Sequence, residues 1–155
     1  MVVTKQVILK ISGEEYGVDI AKVTAIEKYH DIRSIPNAPA YIEGVINLRG
    51  EIIPVYSLRM KFKLPPAGVD INTKVIVTKA NDMSIAFQVD SVNEIIELEN
   101  EDVTEPPAIC LSSETNYIDR FANINGRMVI LLKLDGILTE EEQRMIKELL
   151  EERKK

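Results

Sequence analysis

The residues able to do chemistry are few and scattered. The single histidine, His30, precedes Asp31, but adjacent side chains point apart on an extended chain, so the two do not form a base with its orienting acid. Cys110 has no second cysteine to pair with and is typical of a small buried hydrophobe. Acidic pairs such as Glu14-Glu15 and Glu101-Asp102 could serve acid–base catalysis, yet a turn or a loop explains each. We predict no catalytic, cofactor or metal site.

Composition excludes further classes of function. The net charge of -6 and the pI near 4.9 argue against nucleic acid and against an anionic membrane surface, since both bind mainly through Lys and Arg. No apolar run reaches the ~18 residues of a membrane-spanning helix, and the first residues lack the pattern of a signal peptide. A single cysteine suits a reducing interior. We therefore expect a soluble cytoplasmic protein without nucleic-acid partners or direct membrane insertion.

The elements that must position any site are mostly strands. Apolar residues alternate with polar ones over 3–11 and 14–20, and again in three pairs of strands, a spacing that predicts half-buried strands. The pairs are 42–48 with 51–57, 74–80 with 83–90, and 117–124 with 127–134. A short helix is expected near 58–62, and 99–116 reads as a surface excursion. One longer helix is predicted over 140–153, because Thr139 and Glu142 have the spacing of a capping box. The fold class is all-β with a C-terminal α-helix.

The sequence also repeats itself weakly. Residues 16–26 (YGVDIAKVTAI) align with 85–95 (IAFQVDSVNEI), and 48–58 (LRGEIIPVYSL) align with 124–134 (INGRMVILLKL). Either this is an accidental match of β patterns, or the chain forms two small barrels that share an apolar seam. In the second case, we expect lobe one over 14–80 and lobe two over 83–138, with the first strand joining either.

One predicted turn contains polar side chains that a simple change of chain direction does not require. Residues 44–58 read GVINLRGEIIPVYSL, so Asn47, Leu48 and Arg49 lead into Gly50 between two apolar runs. The glycine suits a turn with positive φ. Arginine combines an apolar stem with a planar five-donor head and is enriched at interface hot spots. The alternatives are a recognition residue and a solvated turn tip.

The same residues carry a resemblance. The stretches 14–26, 35–62 and 85–95 resemble the CheW family of bacterial chemotaxis coupling proteins, and the similarity extends from about Gln6 to the final helix. The resemblance implies two five-stranded SH3-like β-barrel lobes and a non-catalytic adaptor. Such an adaptor joins the cytoplasmic hairpin of chemoreceptors to the regulatory domain of the chemotaxis histidine kinase. The same domain occurs within that kinase and in an adaptor fused to a receiver, and both stay alternatives.

The resemblance also implies which residues bind each partner. The residues implied for the receptor are Val23, Asn47, Leu48, Arg49, Val89 and Val92, and those implied for the kinase are Gly44, Val45 and Gly50. The chain departs from its relatives at Ala25, where they often carry a carboxylate that can pair with the turn arginine. The acid partner of Arg49 is therefore Glu27, Glu43 or a residue of the receptor. An acidic β-barrel hydrolase is the alternative from another class, and it requires two carboxylates that converge in a cleft.

Overall fold

The computed structural model describes residues 2–29, 31–80, 82–110 and 116–154, so His30 lies outside the described residues. The helices are α1 (Leu58–Lys61) and α2 (Glu140–Lys154). The strands are β1 (Val2–Ile11), β2 (Glu14–Asp19), β3 (Val23–Lys28), β4 (Ile42–Leu48), β5 (Glu51–Tyr56), β6 (Lys74–Ala80), β7 (Met83–Val89), β8 (Ser91–Glu99), β9 (Val103–Thr104), β10 (Ile118–Ile124) and β11 (Arg127–Leu132). The all-β class with a C-terminal helix is confirmed.

The strands form two sheets with the same internal order. The five-stranded sheet runs β3-β6-β7-β5-β4, and the other runs β8-β1-β2-β11-β10 with the two-residue β9 added at its edge. Each sheet contains one parallel pair, which places Val55 opposite Ala86 and Leu131 opposite Gly17. The repeat aligns Val55 with Leu131 and Ala86 with Gly17. The internal repeat is therefore real, and each parallel pair joins a strand of one copy to a strand of the other.

The strands divide between the lobes differently from the boundaries expected at 14–80 and 83–138. The strand β2 lies in the six-stranded sheet, paired with β1, and β7 lies in the five-stranded sheet, paired with β6. A tight hairpin keeps both of its strands in one sheet, so neither β1–β2 nor β6–β7 can be divided. Lobe one is the five-stranded sheet, residues 23–89. Lobe two is the other sheet, which consists of β1, β2 and the strands β8 to β11.

Each lobe has its own small core, and a larger core lies between them. Residues such as Ile46 and Val75 fill lobe one, and Ile8 and Val129 are buried within lobe two. The larger cluster combines side chains of both lobes, among them Leu9 and Phe87. A shared apolar core of this kind compensates for the small size of each lobe.

The terminal helix docks through its own N-terminus. The Glu142 carboxylate accepts a hydrogen bond from the Thr139 backbone N–H at 2.8 Å, and the Glu142 backbone N–H donates to the Thr139 hydroxyl at 3.1 Å. This confirms the predicted capping box. The same carboxylate accepts a hydrogen bond from the Tyr56 hydroxyl at 3.1 Å, and Ile146 is fully buried. The pKa of the Tyr56 hydroxyl is raised well above its usual value, mainly by burial and to a smaller extent by the neighbouring Glu142 charge.

Candidate functional site

The turn between β4 and β5 is rigid. Arg49 and Gly50 have φ values of 52° and 89°, and positive φ at both central residues is the mark of a type I′ hairpin turn. The Asn47 side-chain oxygen accepts a hydrogen bond from the Gly50 N–H at 2.9 Å. The hairpin of lobe two repeats this contact, since Asn123 accepts from the Gly126 N–H at 2.9 Å. Asn47 therefore has a structural role in the turn, which sequence reasoning did not find.

The acid partner of Arg49 is Glu27 on β3. Their side chains meet at 2.9 Å, with the arginine 76 % exposed and the glutamate 21 % exposed. Glu27 lies two residues beyond Ala25 and therefore on the same side of the strand. Glu43 lies elsewhere, beside Ser57; burial raises the pKa of its carboxyl, and the hydrogen bond with Ser57 offsets part of the rise. The ion pair holds the arginine head over β3.

Two of the residues implied for the kinase are buried. Gly44 and Val45 lie beneath the segment that contains Arg33, whose backbone exchanges two hydrogen bonds of 2.9 Å with Val45. A Cβ atom on Gly44 would come within 2.2 Å of the Arg33 carbonyl oxygen. Glycine is therefore required for close backbone packing. Gly50, by contrast, is exposed at the tip of the turn.

The residues implied for the receptor fall into two groups. Val89 is 1 % exposed and belongs to the core between the lobes, against which the half-buried Val23 and Val92 pack. The second group is the turn with Asn47, Leu48 and Arg49. The two groups are linked by β3, which begins at Val23 and reaches Glu27 beneath the turn. At roughly 3.3 Å per residue, the four-residue step spans about 13 Å.

A groove opens on the other side of the turn. Its volume is about 670 Å³, and it is lined by Arg49, Gly50, Glu51, Ile52, Lys79, Asp82, Met83, Ser84 and Leu150. Ile52 is 37 % exposed within it. Sequence reasoning missed this groove, because no local pattern shows that the β6–β7 hairpin and the end of α2 lie beside the β4–β5 turn. Arg49 thus stands at a corner between the groove and the β3 face.

Neither a metal centre nor a membrane span was found among the described residues. The described ranges contain no group of three or more His, Cys, Asp or Glu side chains that could hold a metal ion. Within the same ranges, no helix is both long and apolar enough to cross a bilayer.

Comparison with known proteins identifies the family. The family model for the CheW-like domain matches residues 5–142. The chain belongs to the CheW family. Chemotaxis protein CheW of Klebsiella aerogenes is 34 % identical over 139 residues, which cover 90 % of this chain and 84 % of that protein. Chemotaxis protein CheW of Treponema pallidum is 33 % identical over 135 residues, covering 84 % of this chain and 79 % of that protein.

A solved CheW structure has the same fold. The scaffolding protein TtCheW from Thermoanaerobacter tengcongensis matches with a TM-score of 0.83 at 30 % identity, covering 94 % of this chain and 99 % of that one. The CheW family consists of chemotaxis adaptors and scaffolds, not enzymes. The expectation of a chemotaxis adaptor is thereby confirmed, and the hydrolase alternative is set aside on the same ground.

Proposed function

We propose that this protein joins the cytoplasmic hairpin of a methyl-accepting chemoreceptor to the regulatory domain of the chemotaxis histidine kinase. It would do so in the cytoplasm, at membrane-associated receptor arrays, and would regulate the kinase through a coupling free energy of ~1–3 kcal/mol. The observation that carries the proposal is Arg49, an exposed arginine held on a rigid turn at the corner between two surfaces. An arginine held in this way loses less entropy on docking than one on a mobile loop.

We assign the receptor contact to the β3 face. It runs from the interlobe cluster of Val23, Val89 and Val92 to the Arg49–Glu27 pair. Apolar side chains at one end and an ion pair at the other match an amphipathic helical hairpin, which offers apolar and charged positions at helical spacing. Because Val89 is buried, it supports Val23 and Val92 from below and does not itself present a large surface.

We assign the kinase contact to the tip of the β4–β5 hairpin and the groove beside it. Gly50 and Ile52 are exposed there, with Leu150 completing the wall. Gly44 and Val45 act indirectly, because their close packing against the segment at Arg33 fixes the hairpin. Each interface is expected to be at or below the standard ~1,600 Å².

The test is NMR titration of the ¹⁵N-labelled protein with each partner separately. A receptor-tip fragment should shift amide signals along β3, at Val23 and Val92, and the kinase regulatory domain should shift those of Gly50 and Ile52. Ile52→Ser should weaken capture of the kinase domain and leave capture of the receptor tip intact. Ile71→Ser is the matched control, because Ile71 is 92 % exposed on the loop before β6 and does not line the groove. Binding of neither partner by the unmodified protein would overturn the proposal.

A further inference from the structure

We propose that Asp90, held by Arg59, fixes the angle between the two lobes and so positions the receptor-binding face. The inference rests on the proposed function only where it concerns the receptor, since the angle between the lobes can be measured without any partner. We call the contacts of Arg59, Asp90 and Ser12 the interlobe clamp.

The clamp joins elements of both lobes through one carboxylate. Arg59 lies on α1, directly after β5 of lobe one, and its Nη2 donates to both Asp90 oxygens at 2.7 and 2.5 Å. The backbone N–H of Ser12, in the β1–β2 turn of lobe two, donates to Asp90 Oδ2 at 2.8 Å. The Asp90 N–H in turn donates to the Lys10 carbonyl at 3.0 Å. Hydrogen bonds to an ionised carboxylate are short and strong.

The arginine is itself held in place. Its second terminal nitrogen, Nη1, donates to the Pro65 carbonyl at 2.6 Å, and its side chain is only 15 % exposed. The planar guanidinium can therefore reach the Pro65 carbonyl and the Asp90 carboxylate at once, which a lysine ammonium cannot do with the same geometry. Because the contact with Pro65 fixes the guanidinium of Arg59, its hydrogen bonds to Asp90 have a defined direction.

Position along the chain explains why this contact should control the angle. Asp90 is the single residue between β7 of lobe one and β8 of lobe two. The apolar core between the lobes attracts them, but hydrophobic contact is non-directional and allows small rotations. The chain passes between the sheets at two points, at residues 20–22 between β2 and β3 and at Asp90 between β7 and β8. Directional bonds at Asp90 restrict the rotation, because a change in the angle between the lobes must bend the chain at this pivot.

The pivot lies within the surface assigned to the receptor. Val89 precedes Asp90 on lobe one, and Val92 follows it two residues later on lobe two. A change in the angle at Asp90 therefore moves Val92 relative to Val23, which lies on lobe one. Arg59 and Asp90 are thus positioning residues that act through these valines.

The angle can be measured from residual dipolar couplings of backbone amides in the two sheets. For the unmodified protein, one alignment tensor should fit both lobes. For Asp90→Asn, which keeps the size of the side chain and removes its charge, the lobes should require different tensors. Glu97→Gln is the matched control, because Glu97 pairs with Lys5 at 3.5 Å within lobe two, and it should behave as the unmodified protein does. A single unchanged tensor for Asp90→Asn would overturn the inference, even if the protein lost stability.

Binding separates this inference from the proposed function. Asp90→Asn should weaken binding of a receptor-tip fragment by about twofold to thirtyfold, the range seen for residues that modulate a site without touching its ligand, and Glu97→Gln should not. Arg59→Lys provides a second variant should Asp90→Asn fail to fold, with the same change in tensors expected. If the unmodified protein binds no receptor tip but the tensors diverge as stated, the proposed function fails and the clamp stands. Diverging tensors with unchanged receptor binding would overturn the positioning role.

Discussion

The ion pair between Arg49 and Glu27 leads to a prediction about two separate roles. We expect Arg49 to bind the receptor directly, whereas Glu27 only holds the Arg49 side chain in position. Glu27→Gln removes the charge opposite Arg49 while keeping the shape of the side chain. The ion pair is 2.9 Å long, but the arginine is 76 % exposed, so water screens most of the attraction and exposed pairs contribute only ~0.2–1 kcal/mol. We expect a loss of stability below ~0.5 kcal/mol, which for a domain of this size lowers Tm by less than ~2 °C.

The effect on receptor capture should be larger than the effect on stability. Loss of the arginine head in Arg49→Ala should cost ~1–2 kcal/mol or more, as for other interface hot spots. Glu27→Gln leaves the head in place but frees it, and ordering one long side chain on binding costs ~0.5–1.5 kcal/mol. Because the ion pair is partly exposed, we expect Glu27→Gln to weaken receptor binding by the lower part of this range. The expected loss is about 0.5–1 kcal/mol, or a rise in Kd of roughly twofold to fivefold.

The assay is isothermal titration with a receptor-tip fragment, applied to the two single variants and the double variant. If Glu27 acts by holding Arg49, its substitution should have no further effect once the arginine is gone, so the two losses should not add. Equal losses from Glu27→Gln with and without Arg49 would refute this reasoning. Tighter binding by Glu27→Gln would also refute it, because that result would mean that Glu27 competes with a receptor carboxylate for the arginine.

Three further predictions concern the fold that supports these surfaces. Gly44→Ala should destabilise the protein by ~1–3 kcal/mol or more, because the added methyl would lie 2.2 Å from the Arg33 carbonyl oxygen; thermal melting followed by circular dichroism would show it, and an unchanged Tm would contradict the packing. Stability should fall as the pH rises above ~10, by up to ~1.4 kcal/mol per pH unit, because burial raises the pKa of Tyr56 and the folded state holds the phenolic proton more tightly than the unfolded state. Urea titrations at several alkaline pH values should show a smaller fall in the free energy of unfolding for Tyr56→Phe than for the unmodified protein. The same pH profile for both proteins would contradict the role of Tyr56. Ile146→Ala should lower the free energy of unfolding by ~2–5 kcal/mol, since Ile146 is fully buried. Denaturant unfolding that showed a loss of only about 0.3 kcal/mol would mean that α2 is not packed against the lobes.

Local patterns were sufficient to predict most of the individual elements. Residues 140–153 were predicted as a helix from the capping box, and α2 covers Glu140–Lys154. The apolar side chains of α2 are not all buried, since Ile146 is buried but the neighbouring Met145 is 39 % exposed. A helix that lies on the surface of a small domain buries only the row that contacts its neighbour.

Long-range placement was not predictable in the same way. The pairing of Arg49 with Glu27 depends on how the edge strand β3 passes the β4–β5 turn, and no spacing in the sequence encodes that approach. The burial of Gly44 and Val45 depends likewise on a segment that returns over β4 at Arg33. A motif shows which residues matter to a family, but packing decides which of them lie at the surface.

Lobe two is assembled from segments on either side of lobe one in the sequence, because β1 pairs with β8 across the whole of lobe one. During synthesis on the ribosome, the first hairpin therefore emerges with an open edge and no partner strand. Lobe one is contiguous and can close as soon as β7 has emerged, whereas β1 must wait for β8 with apolar surface exposed. The strands made after lobe one thus complete a sheet begun by the strands made before it, and a non-local pairing of this kind is a slow step in folding.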